Sequence, residues 1–332
     1  MQVVFLNTFE KVTEGHAAQQ GQQSIGEYEG VWSVVWTEVS ETGSQEQSVW
    51  FEGGSWEEML AAFRHGAAVK MGEGYSPIID GALDERRASA GSGSTYSMMQ
   101  CFGEMNSNAA LFDALRDWRR SRAVADKKSA YLVATNRILW MISAYVPHTL
   151  EELEQIPGWG EAKQANYGED LLKVTNAFEQ PRPFPLDWVA EALDPKLYTQ
   201  WLYKQKENKY KSQMDRHREK RQLLSAISEG KSLEQLQAEL ELPRRDLMER
   251  IERLDTEGYD MEPLIKLELE QMPEAEQQLV WDALATIGDK YLKPVLFNVY
   301  GEESVQGKPL DMLYDRLRLI RLRYRRARPD AV

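Results

Sequence analysis

The stretch that decides the fold runs from Leu111 to Phe178 and reads LFDALRDWRR SRAVADKKSA YLVATNRILW MISAYVPHTL EELEQIPGWG EAKQANYGED LLKVTNAF. Apolar residues recur at helical spacing at Leu111, Leu115 and Trp118, and the same spacing returns between Ile138 and Tyr145. The spacing therefore predicts two amphipathic helices in the first half of the stretch, each with one apolar face turned toward a shared core.

A helical hairpin is predicted in the second half of the stretch. Thr149 followed by Glu152 is the pattern of a capping box, which starts a short helix. The PGWG turn at 157–160 contains Gly158 and Gly160, and a second helix starts after it. The free N–H groups at the start of that helix can hold a phosphate, and Lys163 can add a charge-assisted contact. The alternative is that the glycines only permit tight helix packing.

This succession of helices and turn resembles the HRDC domain, a small helical module at the C-terminal end of RecQ-type helicases and of ribonuclease D. The resemblance covers residues 108–180 and implies a helical bundle that contacts nucleic acid, although some HRDC-like modules bind proteins instead. One departure is Ser129-Ala130, because many family members have a proline just before the aromatic residue that corresponds to Tyr131. This departure affects the local loop and not the fold.

The charge of the chain is strongly segregated. The whole chain has a net charge of −13. Residues 1–100 carry 5 basic and 14 acidic side chains, residues 111–178 carry 9 of each, and residues 200–221 carry 8 and 3. Residues 222–315 carry 9 basic and 21 acidic side chains, whereas residues 316–328 carry 7 basic ones and no acidic one. Phosphate binding depends on such local clusters more than on the sum.

The HRDC-like segment has its basic side chains at one end, in the first helix and the loop after it. These candidate phosphate contacts are Arg116, Arg119, Arg120, Arg122, Lys127 and Lys128. A one-sided basic stripe is the electrostatic pattern of strand binding. The alternative is a solvated helix face with local ion pairs. The glycine turn with Gly158, Gly160 and Lys163 is predicted to be a secondary contact, and Trp159 is interpreted mainly as a packing residue.

A second helical unit is predicted over residues 222–328. Ser232 and Gln235 form a capping box for one short helix, and Pro243 starts another that continues to Gly258. This pair resembles the helix-turn-helix domain of RecQ-type C-terminal regions, which implies that Arg244 and Arg245 lie at the start of the recognition helix. Acidic residues share that helix, so groove contact and a structural or protein-binding role both remain open.

The final predicted helix, Leu310 to Arg328, carries seven arginines. Its last turns contain Arg325 and Arg326, which we interpret as candidate phosphate or acidic-protein contacts. Cations at a helix C-terminus also meet the helix dipole favourably, and the acidic residues of 222–315 could pair with several of them.

The predicted fold class is mainly α with a small N-terminal α/β domain, followed by an HRDC-like helical bundle and a helix-turn-helix-like helical domain. Strands are expected at Val31–Trp36 and Ser48–Phe51, and a helix capped by Ser55 is expected at Trp56–Lys70. We expect five segments: an α/β domain at 1–86, a flexible linker at 87–107, the HRDC-like domain at 108–180, a basic helical connection at 181–221, and the last domain at 222–328.

The expected function is non-catalytic binding of nucleic acid. The sequence has no Gly-x-x-x-x-Gly-Lys-Ser/Thr loop, and its four histidines lack metal-ligand spacing. We therefore expect no enzyme activity, no cofactor and no metal, although carboxylates are numerous enough for a two-metal nuclease site. The expected partner is DNA, with RNA as the alternative, and a helicase or nuclease can be supplied in trans. The competing hypothesis is a protein–protein adaptor of such an enzyme.

The expected location is the cytoplasm. Cys101 is the only cysteine, so a disulfide framework is excluded. No apolar run reaches the ~20 residues of a membrane helix. The first residues have neither the basic region nor the apolar core of a signal peptide.

Overall fold

The computed structural model describes residues 2–12, 18–39, 45–79, 92–302 and 310–327. The fold is mainly α with a small N-terminal α/β domain, as the sequence predicts. The chain divides into two compact units, residues 1–214 and 215–332. Within the described ranges, none of the helices combines the length and the hydropathy that a membrane span requires.

The N-terminal domain is an antiparallel sheet packed against one helix. Its elements are β1 (Gln2–Lys11), β2 (Gln19–Tyr28), β3 (Val31–Val39), β4 (Gln45–Gly53), α1 (Trp56–Gly72) and β5 (Ser76–Pro77), with strand order β4-β3-β2-β1-β5. Phe9, Val34 and Trp36 of the sheet share a buried core with Met59 and Phe63 of α1. Ser55 caps α1 by accepting the N–H of Glu58, so the predicted cap is confirmed.

Two of the long strands were not predicted from the sequence, and β2 shows why. Its sequence QQGQQSIGEY has almost no apolar alternation. The strand is nevertheless paired on both sides, and the fully buried amide of Gln23 donates to the carbonyl of Phe63 at 2.7 Å. Gly21 is required because the indole of Trp36 lies over it, where a Cβ would come within 2.1 Å of the ring.

The HRDC-like region and the helices next to it form a helical bundle. Its helices are α2 (Ser92–Met105), α3 (Ala109–Ala125), α4 (Ala130–Val133), α5 (Asn136–Tyr145), α6 (Leu150–Glu154), α7 (Glu161–Thr175) and α8 (Val189–Ala192), the last preceded by a 3-10 turn at Leu186–Trp188. Leu111, Leu115, Leu139, Ile142 and Leu171 are buried together in one core. The two amphipathic helices and the hairpin predicted from their spacing are therefore present.

The prediction of a flexible linker at 87–107 is wrong for Ser92–Met105, because these residues form helix α2. Gly and Ser weaken helices, but Cys101 and Phe102 are buried in the same core as α5, and the hydroxyl of Tyr145 donates to the carbonyl of Met99 at 2.8 Å. Tertiary packing therefore overrides the composition of the segment. Residues 87–91 of the predicted linker lie outside the described residues.

The capping box predicted at the start of α6 forms only in part. The hydroxyl of Thr149 accepts the N–H of Glu152 at 3.2 Å, as expected. The carboxylate of Glu152 accepts the N–H of His148 at 2.7 Å, one residue before the cap. The same carboxylate also accepts from the side-chain amide of Gln180 at 2.9 Å, so it ties the chain after α7 to the start of α6.

A single long helix, α9 (Pro195–Ser228), contains residues 195–221 of the expected basic helical connection and continues through the expected domain boundary at 221/222. Tyr198 and Trp201 of its first half pack against the HRDC-like core. Tyr203 and Tyr210 pack against the core of the N-terminal sheet. The first half of α9 is therefore part of the first unit, held by two cores.

The second unit adds six helices to the end of α9 among the residues described. They are α10 (Leu233–Leu240), α11 (Arg244–Thr256), α12 (Glu262–Leu269), α13 (Glu274–Ile287), α14 (Leu292–Tyr300) and α15 (Leu310–Ala327). The capping box of Ser232 and Gln235 is complete, which confirms that prediction. Leu247 and Ile251 of α11 pack with Leu317 and Ile320 of α15. The helix pair α10–α11 exists as predicted, and its RecQ-type identity stays a prediction.

Candidate nucleic-acid interface

Helix α3 carries most of the predicted phosphate contacts of the HRDC-like region. Asn108 starts it by accepting the N–H of Leu111 at 3.1 Å. Leu111 and Leu115 are fully buried, and this orientation of the helix leaves Arg116 and Arg120 on its exposed side. The apolar pattern that builds the core therefore also decides which arginines reach solvent.

Arg116 and Arg120 each pair with an aspartate one turn earlier on the same helix. The guanidinium of Arg116 lies 3.4 Å from the Asp113 carboxylate, and that of Arg120 lies 3.1 Å from Asp117. The Arg120 side chain is 71% exposed and its aspartate 74%. Exposed pairs of this kind contribute ~0–1 kcal/mol. Both arginines can therefore exchange the carboxylate for a phosphate at little cost.

Arg119 and Arg122 are held by the protein itself. Arg119 donates to the carbonyl of Ala134 at 2.9 Å, and burial, followed by the charges of Arg116 and Arg120, lowers its pKa. Arg122 donates to Asp170 of α7 at 2.7 Å. These two predicted contacts brace α3 against the end of α4 and against α7, which gives them a structural role in addition to any ligand.

Asp170 collects three donors at the α3–α7 contact. The indole Nε1 of Trp118 donates to it at 3.0 Å, beside Arg122 and Lys173. The Trp118 hydrogen bond first, and then those from Arg122 and Lys173, hold the pKa of this carboxyl below its ordinary value. The ionised carboxylate is therefore the form that the fold stabilises.

Lys127 and Lys128 lie in the loop after α3, on the exposed surface. Lys127 has a positive φ of 53°, so the chain reverses there. The Lys128 ammonium lies 3.9 Å from the carboxylate of Asp126, and that carboxylate accepts the hydroxyl of Tyr167 at 2.6 Å. The loop thus holds two exposed ammonium groups close to the end of α3.

Tyr131 and Leu132 on the short helix α4 were not predicted as site residues. Tyr131 is 66% exposed and Leu132 is 55% exposed, and Tyr131 follows the second lysine of the loop by three positions. An exposed aromatic ring beside cations is the arrangement on which bases stack. The sequence does contain a signal for this site, namely an aromatic residue three positions after a lysine pair. In the sequence analysis, Tyr131 serves only to identify the fold.

The glycine hairpin is built more for packing than for contact. Gly158 has φ of +84°, which only glycine adopts easily, and the ring of Trp159 is only 3% exposed. The Trp159 Nε1 donates to Gln164 at 2.7 Å, which confirms the packing interpretation. Lys163 donates back to the carbonyl of Gly158 at 3.5 Å. Gly160 caps α7 with open space around it.

The predicted contacts at the start of α11 have carboxylate partners. The Arg244 guanidinium lies 2.8 Å from Asp315 of α15, and both side chains are largely buried. Arg245 lies 3.0 Å from Glu249, one turn later on α11, and its side chain is 81% exposed. Arg244 therefore joins two helices, whereas Arg245 reaches solvent.

The arginines of α15 are paired with acidic residues of other helices and loops in the second unit. Arg325 pairs with Asp289, and Arg326 pairs with Asp255 and lies 3.5 Å from Asp260. Further pairs join Arg318 and Arg321 to Glu252, and Arg323 to Glu262. Arg328, which we had grouped with them, lies outside the described residues. The arginine-rich end of α15 thus stabilises the second unit from within.

The structure therefore brings together one part of the predicted site. Arg116, Arg120, Lys127 and Lys128 lie on α3 and its following loop, and we call these four residues the α3 basic face. Arg244, Arg245, Arg325 and Arg326 belong to the other unit. In the parts of the chain that the structure describes, no group of three His, Cys, Asp or Glu side chains could hold a metal ion.

Comparison with known protein families finds an HRDC domain at residues 108–175, about a fifth of the chain. No solved structure matches the chain. The matched residues begin at the cap of α3 and end at the last residue of α7, so they contain the α3 basic face and the glycine hairpin. Residues 108–175 thus form an HRDC domain, which indicates a nucleic-acid-associated function in a RecQ-type context.

Proposed function

We propose that this chain is a non-catalytic nucleic-acid-binding accessory protein of DNA metabolism, acting in replication, recombination or repair. The observation that carries the proposal is the α3 basic face, in which four cations are exposed on one helix of an HRDC domain and the loop after it. Two of them, Arg116 and Arg120, form ion pairs only with exposed aspartates among the described residues, so a phosphate can replace those carboxylates at little cost.

The proposed mechanism is backbone binding with base stacking. The cations of the α3 basic face neutralise phosphates and release condensed counterions, which makes the affinity salt-dependent and independent of sequence. Tyr131 stacks on an unpaired base beside them, since every base has a π face. The hairpin is a secondary contact through the free N–H groups at the start of α7, with Lys163 next to it. The expected ligand is DNA, with RNA as the alternative.

The second unit has a smaller part in this proposal. Arg244, Arg325 and Arg326 hold helices together, so we assign them to stability first. Arg245 is exposed and remains the candidate for groove contact by the helix-turn-helix-like pair. The sequence has no nucleotide-binding loop, so a helicase or nuclease in trans would supply any catalysis, and we expect this to take place in the cytoplasm.

A protein–protein adaptor is the second candidate function. The observation in its favour is the acidity of the second unit, where residues 222–315 carry 21 acidic and 9 basic side chains. An acidic surface repels nucleic acid and attracts a basic protein partner. In that case the partner, a helicase or nuclease, holds the strand and this chain contacts it little.

The test is binding of the whole protein to fluorescent single-stranded DNA, forked DNA and RNA, followed by fluorescence polarisation at ~50 and ~200 mM salt. The test variant carries Arg116→Gln, Arg120→Gln and Lys128→Gln. A matched control carries three neutralised lysines of the second unit, all of them exposed: Lys266→Gln, Lys290→Gln and Lys293→Gln. Arg119 is left unchanged because its role is structural.

We expect micromolar or tighter binding at low salt that weakens about 10-fold or more in the test variant and little in the control. The slope of affinity against salt should also fall by about 2, because each lost phosphate contact removes ~0.7–0.9. No binding by the wild type at low salt would reject direct binding and leave the adaptor. Degradation of the strand that requires a divalent metal would reject the non-catalytic assignment.

A further inference from the structure

We propose that the first half of α9 carries a second phosphate-binding surface, which extends the interface beyond the HRDC domain. The surface consists of Lys204 and Lys211, which share one side of the helix, and of Lys209, which flanks that side, and we call these three residues the α9 basic face. It lies outside residues 108–175 and within the first compact unit. The proposal rests on the proposed function, since it assigns a longer stretch of the same strand to this chain.

The charge of this helical segment is predominantly positive. Residues 196–214 contain five lysines and one glutamate, in a chain whose net charge is −13. Tyr203 and Tyr210 turn inward and pack against the core of the sheet. The packing of these two tyrosines leaves an outer side on which Lys204, Asn208, Lys209, Lys211 and Ser212 are all exposed. This outer side is polar and cationic throughout.

The spacing of the lysines suits a strand that runs along the helix. Lys204 and Lys211 are seven residues apart, which is about two turns, so they point in nearly the same direction ~10.5 Å apart along the axis. Phosphates follow one another every ~3.4 Å per strand in B-form DNA. The two ammonium groups therefore reach phosphates about three nucleotides apart, with Asn208 between them as a further donor.

The intramolecular contacts of these lysines are weak enough to be exchanged. Lys204 lies 2.8 Å from Glu207 on the next turn, but its side chain is 61% exposed, so the pair contributes little. Lys209 lies over the ring of its own neighbour Tyr210 at 5.4 Å, which leaves the ammonium on the surface. Glu207 is the only carboxylate within 196–214, so one acidic group opposes five cations.

A direct contact joins this surface to the HRDC domain. Arg137, in the first turn of α5, is exposed and donates to the side chain of Gln205 at 3.4 Å. Gln205 lies one turn before Lys209 on α9. Arg137 itself follows Tyr131 by six residues, in the segment that leads from α4 into α5. Arg137 therefore places a further cation of the HRDC domain at the start of the α9 basic face.

The composition favours nucleic acid over an acidic protein as the occupant. Protein interfaces are enriched in aromatic residues, Met and Arg and depleted in Lys. The outer side of α9 shows the opposite pattern, since its cations are lysines and the residues between them are Asn208 and Ser212. Lysines without an apolar centre are typical of contacts to a phosphate backbone.

The test compares two strand lengths on the whole protein. The variant carries Lys204→Gln, Lys209→Gln and Lys211→Gln, and the oligonucleotides are single strands of ~10 and ~40 nucleotides, the shorter within the span of one small module. We expect the dissociation constant for the long strand to rise about 10-fold at ~50 mM salt, with a salt slope lower by about 2. The short strand should bind as it does to the wild type.

Three matched proteins separate this inference from the proposed function. The variant with Lys204→Arg, Lys209→Arg and Lys211→Arg should keep wild-type binding because it keeps the charge, whereas unchanged short-strand binding by the Gln variant excludes a folding defect. The control with Lys266→Gln, Lys290→Gln and Lys293→Gln should also keep it, which excludes a general charge effect. The α3 variant with Arg116→Gln, Arg120→Gln and Lys128→Gln should lose both strand lengths.

Several outcomes would overturn the inference. If the α9 variant bound the long strand with unchanged affinity, the α9 basic face would be rejected as a binding surface, and the proposed interface on the HRDC domain would be unaffected. An equal loss in the charge control would show that net charge alone is responsible. In a parallel titration with fluorescent polyglutamate, loss of binding in the α9 variant without loss of DNA binding would assign the face to an acidic protein. No binding by the wild type would remove this inference together with the proposed function.

Discussion

Two arginine-rich helices of this chain, α3 and α15, use the same residue type in opposite ways. On α3, Arg116 and Arg120 pair with aspartates three residues earlier on their own helix, and all four side chains are exposed to solvent. On α15, Arg321 pairs with Glu252, 69 residues earlier in the chain, and only 11% of its side chain is exposed. The first arrangement leaves charge on the surface, and the second uses it to join helices.

The difference teaches how a run of arginines should be interpreted. A local ion pair between exposed side chains contributes ~0–1 kcal/mol and does not prevent a ligand from binding. A pair between helices that is mostly shielded from water costs more to break, because the remaining charge loses its partner. The number of arginines in α15 is larger, yet α3 is the better candidate for phosphate contact.

The largest expected effect is on the stability of the second unit. Arg321→Ala should lower its free energy of unfolding by about 2 kcal/mol, because Glu252 is left partly buried, with Arg318 3.9 Å away as its only compensation among the described residues. Urea unfolding followed by circular dichroism measures this. The matched change Arg120→Ala on α3 should stay within ~0.5 kcal/mol of the wild type.

The same two substitutions should affect nucleic-acid binding the other way round: Arg120→Ala should have the larger effect on affinity and Arg321→Ala the smaller. Arg120→Ala should weaken binding while the protein remains fully stable. Arg321→Ala should leave the affinity unchanged at temperatures where the second unit is folded. If Arg321→Ala weakened binding as much as Arg120→Ala, the distinction between the two helices would be lost.

The next effect in size concerns the exposed ring beside the α3 basic face. Tyr131→Ala should weaken binding to single strands by about 1.5 kcal/mol, since stacking of one base contributes ~1–3 kcal/mol. Tyr131→Phe should keep the affinity, because the ring and not the hydroxyl makes the contact. Fully paired duplex DNA should show little change with either variant, and an equal loss on duplex DNA would contradict stacking.

The parts of the fold that were predicted from the sequence are those with strong helical periodicity and caps. The helices of the HRDC domain and the capping box at Ser232 are of this kind. β2 and α2 were missed because their local composition is polar or rich in Gly and Ser, and their stability comes from neighbours distant in sequence. Tertiary packing determines the secondary structure of such segments, and the local sequence pattern does not show these distant contacts.

The sequence predicted which residue types form the candidate site, but it did not predict which of these side chains are exposed and which are bonded to the protein. The sequence shows that Arg116, Arg119 and Arg122 lie close together in the chain. It does not show that Arg119 bonds to a carbonyl 15 residues later or that Arg122 reaches an aspartate 48 residues later. Tyr131 was missed for the same reason, because exposure is a property of the folded chain. Only the folded structure separates the cations that are exposed from those that bond to the protein itself.

A smaller effect tests whether the hairpin acts as a contact or only as packing. Gly158→Ala should cost about 1 kcal/mol of stability, because its φ of +84° is strained for any other residue and the new Cβ would meet Ile138 at 3.4 Å. Gly160→Ala should change stability little, since nothing lies within 4 Å of the new methyl group. Thermal unfolding distinguishes the two.

Because Gly160→Ala should change stability little, any change in its affinity for nucleic acid reports on contact at the start of α7. If a phosphate sits at the start of α7, a methyl group at Gly160 crowds it, and the affinity should fall about 2- to 3-fold at low salt, close to the loss of one neutral hydrogen bond. Unchanged affinity would limit the interface to the α3 basic face and to stacking on Tyr131.

The smallest expected effect concerns Arg122, which lies on α3 but, like the arginines of α15, pairs with a carboxylate far away in the sequence. Asp170→Asn should lower the free energy of unfolding by under ~1 kcal/mol at neutral pH, since Asp170 accepts from Trp118, Arg122 and Lys173 in a half-exposed position. Nucleic-acid binding should not change, because the α3 basic face is untouched by the substitution.

The pH dependence of this difference follows from the lowered pKa of Asp170. A carboxyl whose pKa is lower in the folded than in the unfolded state stabilises the fold above its unfolded pKa of ~3.9, and this stabilisation is lost as the pH falls through the folded pKa. The wild type should therefore exceed Asp170→Asn in stability at pH 7 and converge with it as the pH falls below ~4. A difference that stays constant down to pH 3 would show that the carboxylate charge is not what braces α3 against α7, and Arg122 would then return to the set of available cations.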